Sequence, residues 1–254
     1  MLRTQIPKIV YGEREIGGPR HLYRQGLVIR FINEAIPSGK ILDAGCGDGS
    51  LTTKLAIQGF RVYAIEAANG FVRMVEDKIK ILHLEKNVNV KIGDILNTEF
   101  PSNFFDGIVC GEVLEHTDDI KVLNEFRRIL KKGGILVITV PSKNKGWDIW
   151  DDMSGHLRLY TKRGLTNLLQ KCGFRIEKMR FWGFPIMKLY HRLVFLTWVR
   201  LTQSKRLDRT KMHLTTKIGM NKLLSFIVAL VFKLDEIFSC FPLGIGIIVR
   251  ARKI

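Results

Sequence analysis

The sequence predicts an α/β fold with a largely parallel sheet, and three observations carry that prediction. Short apolar runs alternate with amphipathic stretches of helical period. One strand candidate, ILDA, runs into a turn with glycine at every second position, Gly45, Gly47 and Gly49. Hydrophobic residues make up 46% of 254, enough for a full core. Strand–helix–strand alternation at this spacing implies right-handed crossovers and helices on both faces of the sheet.

Residues 1–37 are expected to form an N-terminal loop and a helix over 21–36, closed by Pro37-Ser38-Gly39. Five short buried strands follow at 40–44, 61–65, 88–92, 106–110 and 134–140. Helical patterns lie between them at 50–58, 70–84 and 119–130. The last of these has Asp118 or Asp119 at its start, Lys131 and Lys132 at its end, and Gly133-Gly134 as a stop. The stretch PSKNKGWDIWDDMSGHLRLYT reads as a loop, in which Asp148, Asp151 and Asp152 are taken as solvated loop residues. A helix over 161–172 and a sixth strand at 174–181 come next. The last strand candidate is 244–252. The expected division is therefore a core at 38–181, an insertion at 182–243 and a final core strand within 244–254.

A glycine-rich turn after a strand brings backbone close to a ligand. Phosphate, a dinucleotide and S-adenosylmethionine are all read by such turns. The dinucleotide pattern G-x-G-x-x-G meets Ser50 where its third glycine belongs, and no Lys follows in the Walker A position. Asp43, in a D-x-G-x-G-x-G spacing, resembles motif I of class I S-adenosylmethionine-dependent methyltransferases. Further segments resemble that family in order. Glu66 ends the second strand, Asp94-Ile95 follow the third, Gly111-Glu112 follow the fourth, and FRRILKKGGILVITVPS and HLRLYTKRGLTNLLQKCGF come after. The last of these is similar to the ubiquinone/menaquinone-type small-molecule methyltransferases.

The resemblance covers about 38–181 and the last strand. It implies a Rossmann-like, seven-stranded, mostly parallel sheet with an antiparallel last strand, and S-adenosyl-L-methionine as cofactor. It implies that Asp43, Gly45, Cys46, Gly47 and Gly49 form the turn beneath the methionine part. Glu66 would take the ribose hydroxyls, Asp94 the adenine amino group and Ile95 the ring face, with Gly111 and Glu112 at the methionine end. Cys46 and Cys110 read as fillers rather than nucleophiles.

Methyl transfer from a sulfonium needs alignment above all, and a hydroxyl acceptor also needs a base. His116 and His156 follow the fourth and fifth strands on the edge where open α/β sheets bind ligands. Either could instead be a structural hydrogen-bonder. His156 is the stronger base candidate. Glu115, next to His116, is expected to point elsewhere, and no metal site is expected. An amino-methylating Pro-Pro-aromatic motif is missing after the fourth strand, where Cys110-Gly111-Glu112-Val113 stands. These features favour a small-molecule or lipid-linked acceptor, methylated at oxygen. An RNA methyltransferase and a non-catalytic cofactor-binding scaffold remain the alternatives, and the sequence is silent on oligomeric state.

The formal net charge is +17, and from Lys188 onward there are 13 Lys or Arg against 3 Asp or Glu. A cationic region of this kind suits an acidic lipid surface, nucleic acid or a phosphorylated substrate, or is a plain soluble surface. The insertion breaks the family pattern, which joins its last two strands by a short link. In 221–239, Lys222, Ser225, Ala229, Lys233 and Glu236 form a narrow stripe and nearly everything else is apolar. The insertion is expected to be helical and to cap the cleft, to rest on an anionic membrane, or both. Scattered cysteines, no signal-peptide pattern and no apolar run of spanning length give a cytoplasmic expectation, with peripheral membrane contact through 182–243.

Overall fold

The computed structural model describes residues 18–197, 199–200 and 222–254. The expected N-terminal loop and the middle of the insertion lie outside these residues. Among the described residues, seven strands form one sheet: β1 (Lys40–Ala44), β2 (Arg61–Glu66), β3 (Val88–Ile92), β4 (Phe105–Gly111), β5 (Leu130–Pro141), β6 (Phe174–Trp182) and β7 (Gly246–Lys253). Their order is β3-β2-β1-β4-β5-β7-β6. The first five are parallel, and β7 runs antiparallel to both β5 and β6.

The crossovers are α2 (Ser50–Ile57), α3 (Asn69–Ile81) and α4 (Asp119–Ile129). Central strands buried on both faces read as unbroken apolar runs. Ile41, Leu42 and Ala44 of β1 and Ile108, Val109 and Cys110 of β4 are accordingly buried. Each fully buried Leu, Ile or Phe side chain contributes about 1.5–3 kcal/mol. Chain order reverses between β1 and β4, so the two strand ends splay their following loops apart. A crevice at that switch point is the expected ligand site.

Helix α1 (Pro19–Asn33) begins with proline in its first turn, where the missing N–H costs nothing. β5 starts earlier than the Gly133-Gly134 signal suggests, because Leu130 already pairs with Phe105 before a register shift sets Ile135 opposite Gly107. The stretch after β5 is not a plain loop. It contains a short helix, α5 (Ile149–Ser154), started by a reciprocal cap between Asp148 and Asp151. α6 (Lys162–Lys171) then leads to β6.

Within the insertion, α7 (Ile186–Tyr190) continues into a π-helical turn, His191–Phe195. α8 (Lys222–Val231) follows and tightens into a 3-10 stretch, Phe232–Phe238. Asp235 accepts hydrogen bonds from the backbone N–H groups of Ile186 (2.8 Å) and Met187 (2.9 Å), tying α8 to the start of α7. The small residues of the stripe face α1. Ser225 and Ala229 are buried, Phe232 meets Tyr23 of α1 edge-to-face at 6.3 Å, and Arg30 of α1 pairs with Glu236. Small side chains let α8 approach α1 closely, and the bulky apolar side chains are left outside. Phe226, Ile227, Leu230 and Val231 are exposed. No helix among the described residues is long and apolar enough to cross a membrane.

Candidate active site

A cleft of about 580 Å³ opens at the switch point. Its floor is the turn after β1. Gly45 has φ +75°, and a Cβ there would sit 2.6 Å from Val113. Gly47 has φ +53°, and the space its Cβ would fill is open. Only glycine gives this backbone both the left-handed turn and a bare surface toward the cleft. Glu66, at the end of β2, accepts from the Gly47 N–H at 2.9 Å and from the Ala68 N–H at 3.1 Å. Its carboxylate is thereby fixed at the rim of the turn. Asp94 and Ile95 line the same end of the cleft, Ile95 being almost wholly buried.

Glu112 follows β4 with φ +60°, a conformation a non-glycine residue holds at some cost. Its N–H donates to the Thr139 carbonyl at 2.9 Å. Its Oε1 is buried without a hydrogen bond, 3.6 Å from the Arg24 guanidinium. Arg24 also donates to Thr139 Oγ1 at 3.3 Å. Burial, partly countered by Glu115, brings its pKa down to about 10.

The other half of the cleft is built from side chains. His156 Nδ1 bonds Asp151 Oδ1 at 2.7 Å. Burial acts to raise the Asp151 pKa, but hydrogen bonds from His156, Lys145 and the Asp148 amide hold it below the usual carboxylate range. An ionised Asp151 accepts, so the proton of His156 sits on Nδ1 and Nε2 carries a lone pair. Lys145 Nζ bridges Asp151 (2.5 Å) and Asp148 (3.0 Å). The His116 ring meets His156 edge-to-face at 4.8 Å. Burial, then the neighbouring His156, lower the pKa of His116.

Glu115 is fully buried, its carboxyl oxygens without hydrogen bonds, and Oε1 lies 3.9 Å from His156 Nε2. Burial pushes its pKa up to about 8. Glu115, His116 and His156 offer three ligand atoms within 4.8 Å of one another, a donor set a divalent cation could use.

The structure gathers Gly45, Cys46, Gly47, Glu66, Asp94, Ile95, Gly111, Glu112, His116 and His156 around this one cleft. Asp43 lies beneath the turn and lines a smaller neighbouring cavity. It accepts from Thr52 Oγ1 at 2.7 Å, and burial lifts its pKa to about 6. Gly49 is outside the cleft lining, and a Cβ there would strike Val75 of α3 at 2.6 Å, so its smallness serves helix packing. Two readings are corrected. Glu115 does not point away, because the short 3-10 turn Leu114–His116 turns both it and His116 toward His156. Asp148 and Asp151 are not solvated loop residues but the buried frame of α5.

Sequence reading missed Arg20, His21 and Arg24 of α1, Trp150 of α5, and Tyr190 and Phe195 of the insertion, all of which line the cleft. One signal was available: Arg20 and Arg24 are spaced i, i+4, which sets both on one helix face.

Comparison with known proteins agrees with this geometry. A family model described as "Methyltransferase domain" matches residues 20–179. The ubiquinone biosynthesis O-methyltransferase of Rickettsia bellii is 30% identical over 115 residues, 42% of this chain and 45% of that protein. The match therefore spans less than half the length of that relative. Among solved structures, the geranyl diphosphate C-methyltransferase of Streptomyces coelicolor, bound to Mg2+, geranyl diphosphate and S-adenosyl-L-homocysteine, superposes with TM-score 0.63 at 13% identity, over 92% of this chain and 81% of that one. Phosphoethanolamine N-methyltransferase 2 of Haemonchus contortus, bound to S-adenosyl-L-methionine, gives TM-score 0.61 at 18% identity, over 90% and 52%.

Proposed function

This chain belongs to the methyltransferase-domain family and takes S-adenosylmethionine as its cofactor, and from that premise we propose that it methylates a hydroxyl oxygen of a small, lipid-linked acceptor. The cofactor fits the residues present. The open cradle over Gly47 leaves room for it, and the Glu66 carboxylate, already oriented by two backbone N–H groups, has lone pairs left for a ribose diol. Asp94 and Ile95 would hold the adenine. Arg24 and the orphaned Glu112 oxygen, of opposite charge, would take the carboxylate and ammonium of the methionine part. When bound, S-adenosylmethionine supplies an electrophilic methyl group on a neutral leaving sulfur.

The rest of the work falls to side chains of this chain. The aromatic wall of Trp150, Tyr190 and Phe195 would orient an apolar acceptor. His156 Nε2 would accept the hydroxyl proton as the bond to oxygen forms, and Asp151 would stabilise the imidazolium. The His156–Asp151 hydrogen bond at the cleft is the observation that carries this reading. The ubiquinone-biosynthesis relative, named as an O-methyltransferase, supports oxygen as the target.

The insertion supports a lipid-like acceptor and contact with an anionic membrane. Leu189, Leu193, Val194, Phe226, Ile227, Leu230, Leu234 and Ile237 are exposed apolar side chains on α7, α8 and their extensions, and the same part of the chain is cationic. Incubation with methyl-labelled S-adenosylmethionine and fractionated cell extract tests the acceptor. Label is expected in the lipid or small-molecule fraction, and label confined to RNA or protein would overturn the reading. Flotation with acidic and neutral vesicles tests the surface, and no binding to acidic vesicles at low salt would remove membrane contact.

A further inference from the structure

A chain of polar contacts leaves the active site and ends in the insertion. His191, in the π-helical turn, is buried at 3% exposure. Arg20 of α1 can only donate, so it fixes His191 Nδ1 as the acceptor in their hydrogen bond. The His191 proton therefore sits on Nε2, which donates to Asp148 Oδ2 at 2.9 Å. Burial first, and the Arg20 and Lys145 charges after it, outweigh Asp148 and keep this imidazole neutral.

Asp148 in turn caps α5 through the Trp150 N–H at 2.9 Å, shares Lys145 with Asp151, and donates its own N–H to Asp151 Oδ2 at 2.8 Å. Asp151 holds His156. On its other side, His191 directly follows Tyr190 and lies one helical turn before Phe195, both of which line the cleft. It stacks on Phe195 at 5.3 Å, and the Arg20 guanidinium lies 4.6 Å above the same ring.

We infer that His191 is a positioning residue: it couples the acceptor-facing wall of the insertion to the base His156 through Asp148 and Asp151. The inference rests on His156 being the base. It gives the insertion a second role besides covering the cleft. The His191–Asp148 bond is already made, so the wall of Tyr190 and Phe195 on which an acceptor would pack is joined to the frame that keeps the Nε2 lone pair of His156 aimed at the cleft. The apolar body of the acceptor would then be positioned by the same rigid unit that orients the base.

Two measurements on the full chain, saturated with S-adenosylhomocysteine or S-adenosylmethionine, test this. The first needs no acceptor. Long-range 1H–15N spectra of the imidazoles report which nitrogen of His156 is protonated. The wild type is expected to hold the Nδ1-protonated form, His191→Ala to show a mixture of tautomers, and His191→Gln, whose amide can still donate to Asp148, to return toward the wild type. Unchanged His156 shifts in His191→Ala would overturn the inference. If that variant does not fold, Asp148→Asn, which keeps the Oδ1 cap, is read in the same way.

The second is a double-mutant cycle on an alkyl-substituted catechol. His191→Ala is expected to lower kcat roughly tenfold with cofactor affinity unchanged, and to have no further effect in a His156→Ala background. Independent, multiplying losses would overturn the coupling. A His156→Ala rate within a few-fold of wild type, alongside the expected spectra, would sink the base assignment and leave the coupling standing.

Discussion

The two halves of the cleft are made of different material. The half proposed for the cofactor, over β1, β2 and β3, is mostly backbone: a glycine turn, two N–H groups that grip Glu66, and the segment after β3 that presents Asp94 and Ile95. Its parts are close in sequence and their geometry follows from strand and turn rules. The half proposed for the acceptor is a side-chain network. It joins α1, α5 and the insertion, with Arg20 and His191 separated by 171 positions. A backbone cradle tolerates little change and serves one invariant ligand. A network of buried polar side chains can be rebuilt around a new acceptor, and it is more exposed to failure because each member depends on the next.

The largest expected effect lies in the second half. His156→Ala should lower kcat roughly 10²–10⁴-fold, the usual range for losing a positioned base, with the Kd for S-adenosylmethionine unchanged by calorimetry. A parallel loss of cofactor affinity would mean the two halves are not separable. Chelation sharpens the point. A proton-accepting Nε2 predicts full activity in EDTA. Activity lost in EDTA and restored by a divalent cation would make Glu115, His116 and His156 ligands instead.

Glu115 gives the next effect, on stability. Its carboxyl is raised to about 8 in the folded state by burial, against a usual unfolded value near 4.3. Between those values the native state holds a proton the unfolded chain has lost, so the stability contribution falls as pH rises, by about 1.4 kcal/mol per pH unit. Glu115→Gln removes that penalty. Its advantage over wild type in urea midpoint should be near zero at pH 4 and grow toward pH 8. A pH-independent difference would show that Glu115 is not neutral in the native protein.

These contrasts also explain what the sequence discloses. The strands 40–44 and 88–92 coincide with the observed β1 and β3, because buried parallel strands are read from local apolar runs. The residues proposed to hold the cofactor are picked out for the same reason, each lying at a strand end or in the turn just after one. α5 was hidden because a six-residue helix has too few turns to show a period, and only its cap is a signal. Arg20 and Arg24 carry only the weak signal of an i, i+4 spacing, and nothing local marks His191. They become site residues only when α1, α5 and the turn after α7 pack together, which is a tertiary event. Which face of α8 meets the body of the protein is also a tertiary matter: close packing against α1 takes the small side chains Ser225 and Ala229 and leaves Phe226, Ile227, Leu230 and Val231 exposed.

A smaller effect separates the halves from the cofactor side. Glu66→Gln keeps shape but loses the charge that strengthens hydrogen bonds to a diol, a cost of about 1.5–3 kcal/mol. The Kd for S-adenosylmethionine should weaken roughly 10–100-fold, and kcat at saturating cofactor should change little. A kcat loss larger than the Kd change would place Glu66 in the chemistry and erase the distinction between the two halves.

The smallest effect tests whether the insertion's outer face belongs to the site at all. Ile237 is 73% exposed and lies beyond the residues that pack α8 on α1. Replacing it with Ser removes apolar surface from solvent rather than from the core, so folding stability should stay within about 0.5 kcal/mol. Turnover of a water-soluble acceptor should also be unchanged, because Ile237 does not line the cleft. If this face enters the headgroup region of an acidic membrane, the lost side chain was worth about 1–2 kcal/mol there. Partitioning onto acidic vesicles should then fall several-fold, together with the rate on a vesicle-borne acceptor. A drop in the soluble rate would make the outer face part of the catalytic frame. Unchanged vesicle partitioning would mean that the apolar surface of α8 answers to something other than lipid.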